Sequence, residues 1–501
     1  MKVQQFLDHH GIARNPFAEE DAQTDPVFKE HCIESTYHPT WDKVYGDPAE
    51  PSTSIIFGEK GSGKTAMRLQ LARHLEHYND RHPGKRLFVI HYDDFNPFLD
   101  RFRDRLSKRN RKPERVLAQF KLWDHMDAVL SLAVTGLVDR VLDVKQPSQT
   151  VVCDIAANDV DALDQNQARD LLILAACYDQ STAETFKGRW HRLRRRLKFQ
   201  SWKSYWQVAV GWGCTALLVL LVLIIVAYGG QNWLPPWWVY PILLAAAWTP
   251  WLRHVWKNFW LARGVLSRMR VGIRETNPLR QVLMQFLPAE LTGQPLPNKD
   301  STDDRYELLM KLQGLLASLG HSGMIVLVDR LDEPHLVNGS AELMKALLWP
   351  ILDNKFLKHP GLGLKLMLPI ELTRFIERED REFYQRARLD KQNMIPSFEW
   401  TGEALYDVAT ARLKACAKPG AKPVLSDLFD AGLSQPRMIE AFRMLRVPRR
   451  LFKFLYHLIA AHCNAHTDQN PSWQISTTLF ESTLALSLRD QDAFDRGVGA
   501  G

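Results

Sequence analysis

The sequence predicts an α/β protein: a parallel sheet interrupted by a helical insertion that enters a membrane, and closed by a C-terminal helical segment. Three observations carry this expectation. A glycine-rich loop, Gly58-Glu59-Lys60-Gly61-Ser62-Gly63-Lys64-Thr65, stands between an apolar run (Ser54 to Phe57) and a helical pattern (Ala66 to His77). A continuous apolar run, Met324 to Val328, ends in Asp329 and reads as a strand buried on both faces of a parallel sheet. Between them, Trp206–Tyr228 is apolar and free of charge, and is long enough to cross the roughly 30 Å hydrocarbon layer.

The loop fits G-x-x-x-x-G-K-[ST]. Glycines let successive backbone N–H groups turn inward around phosphate oxygens, a concavity that side chains would obstruct. Lys64 adds a point charge, and the Thr65 hydroxyl is offered to Mg²⁺, which takes few protein ligands. The phosphate-binding set expected from this is Gly58, Glu59, Lys60, Gly61, Ser62, Gly63, Lys64, Thr65 and Ala66. The run ending in Asp329 delivers that carboxylate to the sheet edge, where it would hold Mg²⁺ together with Thr65. A general base must lie one water from the terminal phosphate, and Asp332 and Glu333 are the acids placed for it. The sequence does not choose between them, and a solvated helix N-terminus would favour the same two acids. The residue directly after Asp329 is Arg330, which cannot itself serve as that base.

Further strands are expected at Leu87–Tyr92, Leu364–Leu368 and Met394–Phe398, and helices at Val116–Val144, Ala162–Ala176 and Arg305–Leu319. Helices are also expected over Glu403–Ala417, Pro436–Leu445, Pro448–Cys463 and Ser476–Ser487. The resulting segments are a prelude (1–51), a nucleotide core (52–100 and 305–401), a helical insertion (101–304) and a helical lid (402–501). Two arginine groups stand where a nucleotide machine would use them. Arg386 and Arg388 close a charged helix before the last strand, and Arg449-Arg450 open a lid helix; a guanidinium donates two bonds to one anion and keeps its charge.

Charge is unevenly distributed. The whole chain carries +7, yet residues 187–274 hold fourteen Lys and Arg and no acid, leaving a net −7 elsewhere. The same stretch holds eleven of the sixteen tryptophans, most near the ends of apolar runs, as interfacial belts do. A second run, 234–252, contains Pro235, Pro236, Pro241 and Pro250, which leave open whether it crosses fully or is kinked and partly inserted, and it completes a hairpin with both basic ends in the cytoplasm. That distribution argues against a nucleic-acid partner and for membrane lipids. Six separate cysteines without C-x-x-C pairs suit a reducing compartment. His462 and His466 lack a second pair at ligand spacing, so no metal other than Mg²⁺ is expected.

With these residues in place, the chain resembles the P-loop NTPases of the AAA+/STAND-like branch (ASCE/AAA-like core). Within it, it resembles the KAP NTPases, whose nucleotide domain is interrupted by transmembrane helices. The resemblance rests on Gly58–Thr65, Asp329-Arg330-Leu331-Asp332, the hairpin at 206–252 and Val447-Pro448-Arg449-Arg450, and spans about residues 52–463. The prelude, Asn15-Pro16-Phe17 and Asp25-Pro26-Val27-Phe28, is similar to one in secretion- and transposition-associated AAA ATPases. The resemblance implies ATP and Mg²⁺ as cofactors and Arg449 as a lid arginine on the nucleotide. It also implies a cytoplasmic ATPase held at the bacterial inner membrane as an oligomer, with antiphage defence or membrane-linked signalling as its setting. Two other expectations stand beside it: a nucleotide-gated scaffold or pore with little turnover, and a DNA-handling ATPase.

Overall fold

The computed structural model describes residues 1–145, 149–199, 206–228, 236–387 and 394–495. Six strands form one mostly parallel sheet: β1 (Ser54–Gly58), β2 (Arg86–Tyr92), β3 (Val151–Val152), β4 (His321–Val328), β5 (Leu362–Pro369) and β6 (Met394–Ile395). Their order is β3-β2-β4-β5-β1-β6. β1 pairs in parallel with both β5 and β6, and β2 pairs antiparallel with the short β3, which the apolar pattern did not mark. β5 lies between β1 and β4, so the strand ends bearing Gly58 and Asp329 are two strand spacings apart, about 10 Å.

Local chemistry explains where elements stop. The ladder of β6 ends at Ile395 because Pro396 has no N–H, and contact with β1 resumes through the Phe398 N–H donating to Phe57 O at 2.7 Å. The helix expected over Val116–Val144 divides into Pro113–Gln119 and Leu122–Val141. At the break, the Asp124 carboxylate accepts the Lys121 N–H at 2.8 Å and starts a new helix. The helix expected from Ala162 begins instead at Gln165, behind a reciprocal cap between Asp164 and Gln167.

The chain forms two compact units, residues 1–82 with 325–501, and residues 83–324. In the first, helices Gly402–Ala415, Gln435–Leu445, Pro448–Ala465 and Thr477–Asp495 close on a core containing Leu405, Phe442, Leu451 and Phe480, and the prelude residues Phe6, Ile12 and Phe17 join it. In the second, helix Leu122–Val141 is buried on nearly every side and carries acids paired inside the unit. Asp127 meets Arg305 at 3.0 Å, with both side chains fully buried, and Asp139 meets Arg189 at 2.8 Å. Among the described bases of 187–274, Arg189, Arg192, Arg196, Lys198, Arg268 and Arg270 pair with acids of this unit.

Among the described residues, one helix is long and apolar enough to cross a membrane, Trp206–Tyr228, and only 6% of its apolar window is buried. Two were expected. The second run starts within 229–235, outside the described residues, and continues as the first part of a 30-residue helix, Val239–Arg268. Its apolar part ends before Arg253, so from Val239 to Leu252 it is about 21 Å long, short of the roughly 30 Å needed. The two helices pack together where the Trp248 Nε1–H donates to Thr215 Oγ1 at 3.2 Å and its ring lies against Gly211.

Candidate functional site

The glycine loop leaves β1 and enters the helix Lys64–Arg81 through Gly61 and Gly63, both at positive φ (86° and 95°). A side chain at Gly61 would strike Arg449, and one at Gly58 would strike Ser62 Oγ. No side chain caps this helix, so its first-turn N–H groups remain for an anion. Ser62 is fully buried, and its Oγ has no partner among the described residues. The Lys64 ammonium donates to Gly58 O (2.6 Å) and Glu59 O (2.9 Å). Burial lowers its pKa, against the attraction of Asp329, Asp332 and Glu371. A loop with free N–H groups, an orphaned buried hydroxyl and a tethered ammonium fits the phosphates of a nucleotide.

Across the gap, the Thr65 hydroxyl donates to Asp329 Oδ2 at 2.9 Å. Arg68, one helical turn beyond Thr65, reaches the same oxygen at 3.3 Å, and both partners of this ion pair are almost wholly buried. Burial raises the Asp329 carboxyl above its ordinary range, opposed by Arg68 and Thr65. A hard oxygen pair, hydroxyl plus carboxylate, suits Mg²⁺.

Asp332 and Glu333 lie in a turn over 331–339 and not at a helix N-terminus; the next helix starts at Ala341, capped by Ser340. Asp332 is half-buried and Glu333 exposed, with Glu333 3.4 Å from Arg330. Burial lifts the Glu333 pKa, held back by Arg330 and pushed further by the acids around it. Arg330 itself adopts φ +60°, a conformation that costs a side-chain-bearing residue roughly 1–2 kcal/mol.

A cavity of about 380 Å³ joins these groups, lined among others by Lys64, Thr65, Asp329, Arg330, Asp332 and Arg449. The Arg449 N–H donates to Gly61 O at 3.3 Å, and Arg450 stands 3.6 Å from Glu59, so the lid helix Pro448–Ala465 begins on the loop. Away from the loop, Met67 and Gln70 continue the helix face of Gly63, and Phe28 and Phe452 add apolar walls. Of the other arginine group, Arg386 lies in the helix Arg381–Ala387, with its side chain outside what is described, and Arg388 falls outside the described residues.

Several contributors escaped the sequence reading. Arg68 had a legible signal, its place one turn after Thr65. Glu371, exposed two residues beyond β5, lines the same cavity and joins Asp332 and Glu333 as a candidate base. Trp400 donates from Nε1 to Ser62 O at 2.7 Å, and His38 stacks on Phe398 at 3.7 Å beneath the loop. These contacts join residues more than 300 positions apart, and no spacing marks them. His462 and His466 each hydrogen-bond a backbone carbonyl, of Ser472 and His462 respectively, at 2.8 Å. No protein-family model matches this chain, and no curated protein or solved structure matches it.

Proposed function

We propose that the chain is a membrane-anchored switch or motor that binds and hydrolyses ATP with Mg²⁺. The observation that carries this reading is the meeting of Thr65 with Asp329 beside Lys64, in one cavity. In the proposed roles, the loop N–H groups and Lys64 bind the phosphates, and Thr65 and Asp329 hold Mg²⁺. Arg449 closes the lid on the nucleotide. Mg²⁺, when bound, draws charge from the phosphate oxygens. An acid among Asp332, Glu333 and Glu371 takes the proton of the attacking water. The strand order supports this reading, because with β5 between β1 and β4 the loop must span the gap that Thr65 closes.

The membrane part of the reading rests on exposure. Leu217, Leu220 and Leu223 are each more than half exposed along one helix, an apolar surface that water would not tolerate and lipid would. β1 precedes this helix and pairs with β5 and β6, which follow it. This pairing supports a topology with both flanks on one side of the membrane, in which the run after Tyr228 would bring the chain back by a second crossing or a partial insertion. The bacterial inner membrane, a homo-oligomer and a role in defence or signalling remain parts of the proposal that rest on the resemblance.

The deciding experiment measures nucleotide binding and Mg²⁺-dependent phosphate release by the purified full-length protein, beside Lys64→Ala. Equal hydrolysis by both proteins would sink the enzyme reading.

A further inference from the structure

We propose that Arg330 is the residue that recognises the terminal phosphate of the nucleotide within its own chain. This rests on the nucleotide reading above and assigns a role to a residue that reading leaves without one. Arg330 follows Asp329 directly and lines the same cavity as Lys64 and Thr65. Its guanidinium is poorly satisfied. Nε is buried with no hydrogen-bond partner among the described residues. Nη1 stands 3.4 Å from Glu333 and Nη2 3.8 Å from Asp21, both longer than the roughly 2.7–2.9 Å of a charge-assisted hydrogen bond. Those two acids are 56% and 45% exposed, so water can solvate them once Arg330 turns away.

An anion with three terminal oxygens suits such a group, since a planar guanidinium can give two parallel bonds to one phosphate. The electrostatics call for the same partner. Glu20, Asp21, Asp25, Asp329, Asp332, Glu333 and Glu371 all line the cavity, and a triphosphate entering it adds negative charge to seven carboxylates. Lys60, Lys64, Arg412 and Arg449 are the other cations of that lining; Lys60 and Lys64 belong to the loop itself, and Arg412 is held by Asp25. Arg330 adds positive charge directly beside Asp329. In hydrolysis, the water oxygen forms a bond to the terminal phosphorus as the bond from that phosphorus to the bridging oxygen breaks. The electron pair leaves with the diphosphate, and the water proton passes to an acid. Arg330 exchanges no proton. It neutralises charge on the transferring oxygens throughout.

The test compares wild-type, Arg330→Ala and Arg330→Lys full-length proteins for ATP affinity, ADP affinity and turnover. Arg330→Ala should bind ADP within about twofold of wild type, bind ATP about tenfold more weakly, and lose about 10³-fold in kcat. Arg330→Lys should recover part of the ATP preference and little turnover, because an ammonium restores charge but not the fork. A merely structural arginine would change ATP and ADP binding alike. Equal effects on both nucleotides, or turnover within about threefold of wild type, would overturn the proposal. Should Arg330→Ala fail to bind ADP, the same comparison in Arg330→Lys decides. If the wild-type protein binds neither nucleotide, the nucleotide reading falls and this proposal with it; normal binding with an indifferent Arg330 removes this proposal alone.

Discussion

Thr65 and Asp329, separated by 264 residues, are joined by a 2.9 Å hydrogen bond from the Thr65 hydroxyl to Asp329 Oδ2. The bond fixes the first turn of the loop helix to the end of β4. It also presents a hydroxyl and a carboxylate to one point in the cavity. Two substitutions separate binding from chemistry at that point. Lys64→Ala should weaken ATP binding at least tenfold, since a hydrogen bond to a charged group contributes about 1.5–3 kcal/mol. Asp329→Asn should keep affinity within a few-fold and lose Mg²⁺-dependent phosphate release. Titration calorimetry with and without Mg²⁺, paired with a phosphate assay, checks both.

The base is found by comparing three conservative changes under saturating ATP: Asp332→Asn, Glu333→Gln and Glu371→Gln. One of them should lower kcat by about 10²–10⁴-fold while leaving affinity intact. Burial raises the Glu333 pKa, so if Glu333 is that acid the pH–rate profile should rise at a higher pH than an ordinary glutamate would give. An unshifted acid limb, or a Glu333→Gln protein with normal turnover, assigns the role to one of the other two.

His38 predicts a pH dependence of stability. Burial against Phe398 and Trp400 depresses its pKa from 6.5 to about 4. The unfolded chain therefore takes up a proton at a higher pH than the folded one. Its contribution to stability is present above pH 6.5 and is lost as pH falls toward 4, up to about 3 kcal/mol. Denaturant titrations at pH 7 and pH 4.5 should show a smaller loss for His38→Gln than for wild type. Identical pH slopes would show that His38 is not the titrating group.

The buried Arg305–Asp127 pair predicts a large local cost. Arg305→Ala leaves Asp127 buried and without its cation, a change that costs about 3–5 kcal/mol. Thermal unfolding followed by circular dichroism should show a fall in Tm of about 10 °C. Asp127→Leu with Arg305→Met should recover most of it, and a double variant as unstable as the single would show that the pair is not the cause.

Single cysteines replacing Gln231, Lys198 and Arg263 should divide between the two faces of the membrane. Residue 231 should label from the side opposite the nucleotide site, and the other two from the same side, because both flanks of the apolar helix join one sheet. Protection of residue 231 from the far side would make the apolar pair a partial insertion. A variant without residues 206–252 should keep its fold and lose any affinity for lipid vesicles. Extending the deletion to 187–274 would remove Trp190, Leu193, Ala262 and Val265, all buried in the core of the second unit.

Most strands were legible because buried parallel strands are apolar runs; β1, β2 and β4 each contain an unbroken one, and β5 contains one broken only by Lys365. β3 was not, for it spans two residues, held by pairing with Val89 and Ile90. The glycine loop and Asp329 could be read because their chemistry demands particular residues at fixed spacing. The surroundings of the loop could not. Trp400, His38 and Glu371 reach it by tertiary folding, and their residue types occur on any surface. The charge map was right as a count and incomplete as a field. Arg189 and Arg270 lie next to apolar runs in sequence and point their charge at Asp139, Asp179 and Asp124.

The helix Val239–Arg268 has a mechanical consequence. Its first half faces outward, with Ile242 and Leu243 exposed, while His254, Asn258, Ala262 and Val265 in its second half are locked into the core of residues 83–324. Thirty residues of continuous helix make a rod about 45 Å long, far stiffer along its axis than across it. Pro250 interrupts the backbone bonding near the middle, so bending concentrates there. Axial force applied to the outer half is carried into the core almost undiminished, whereas sideways drift is absorbed at the proline. The element has the form of a push-rod with a single compliant joint, and in the proposed membrane setting a change in bilayer thickness would load it along its axis.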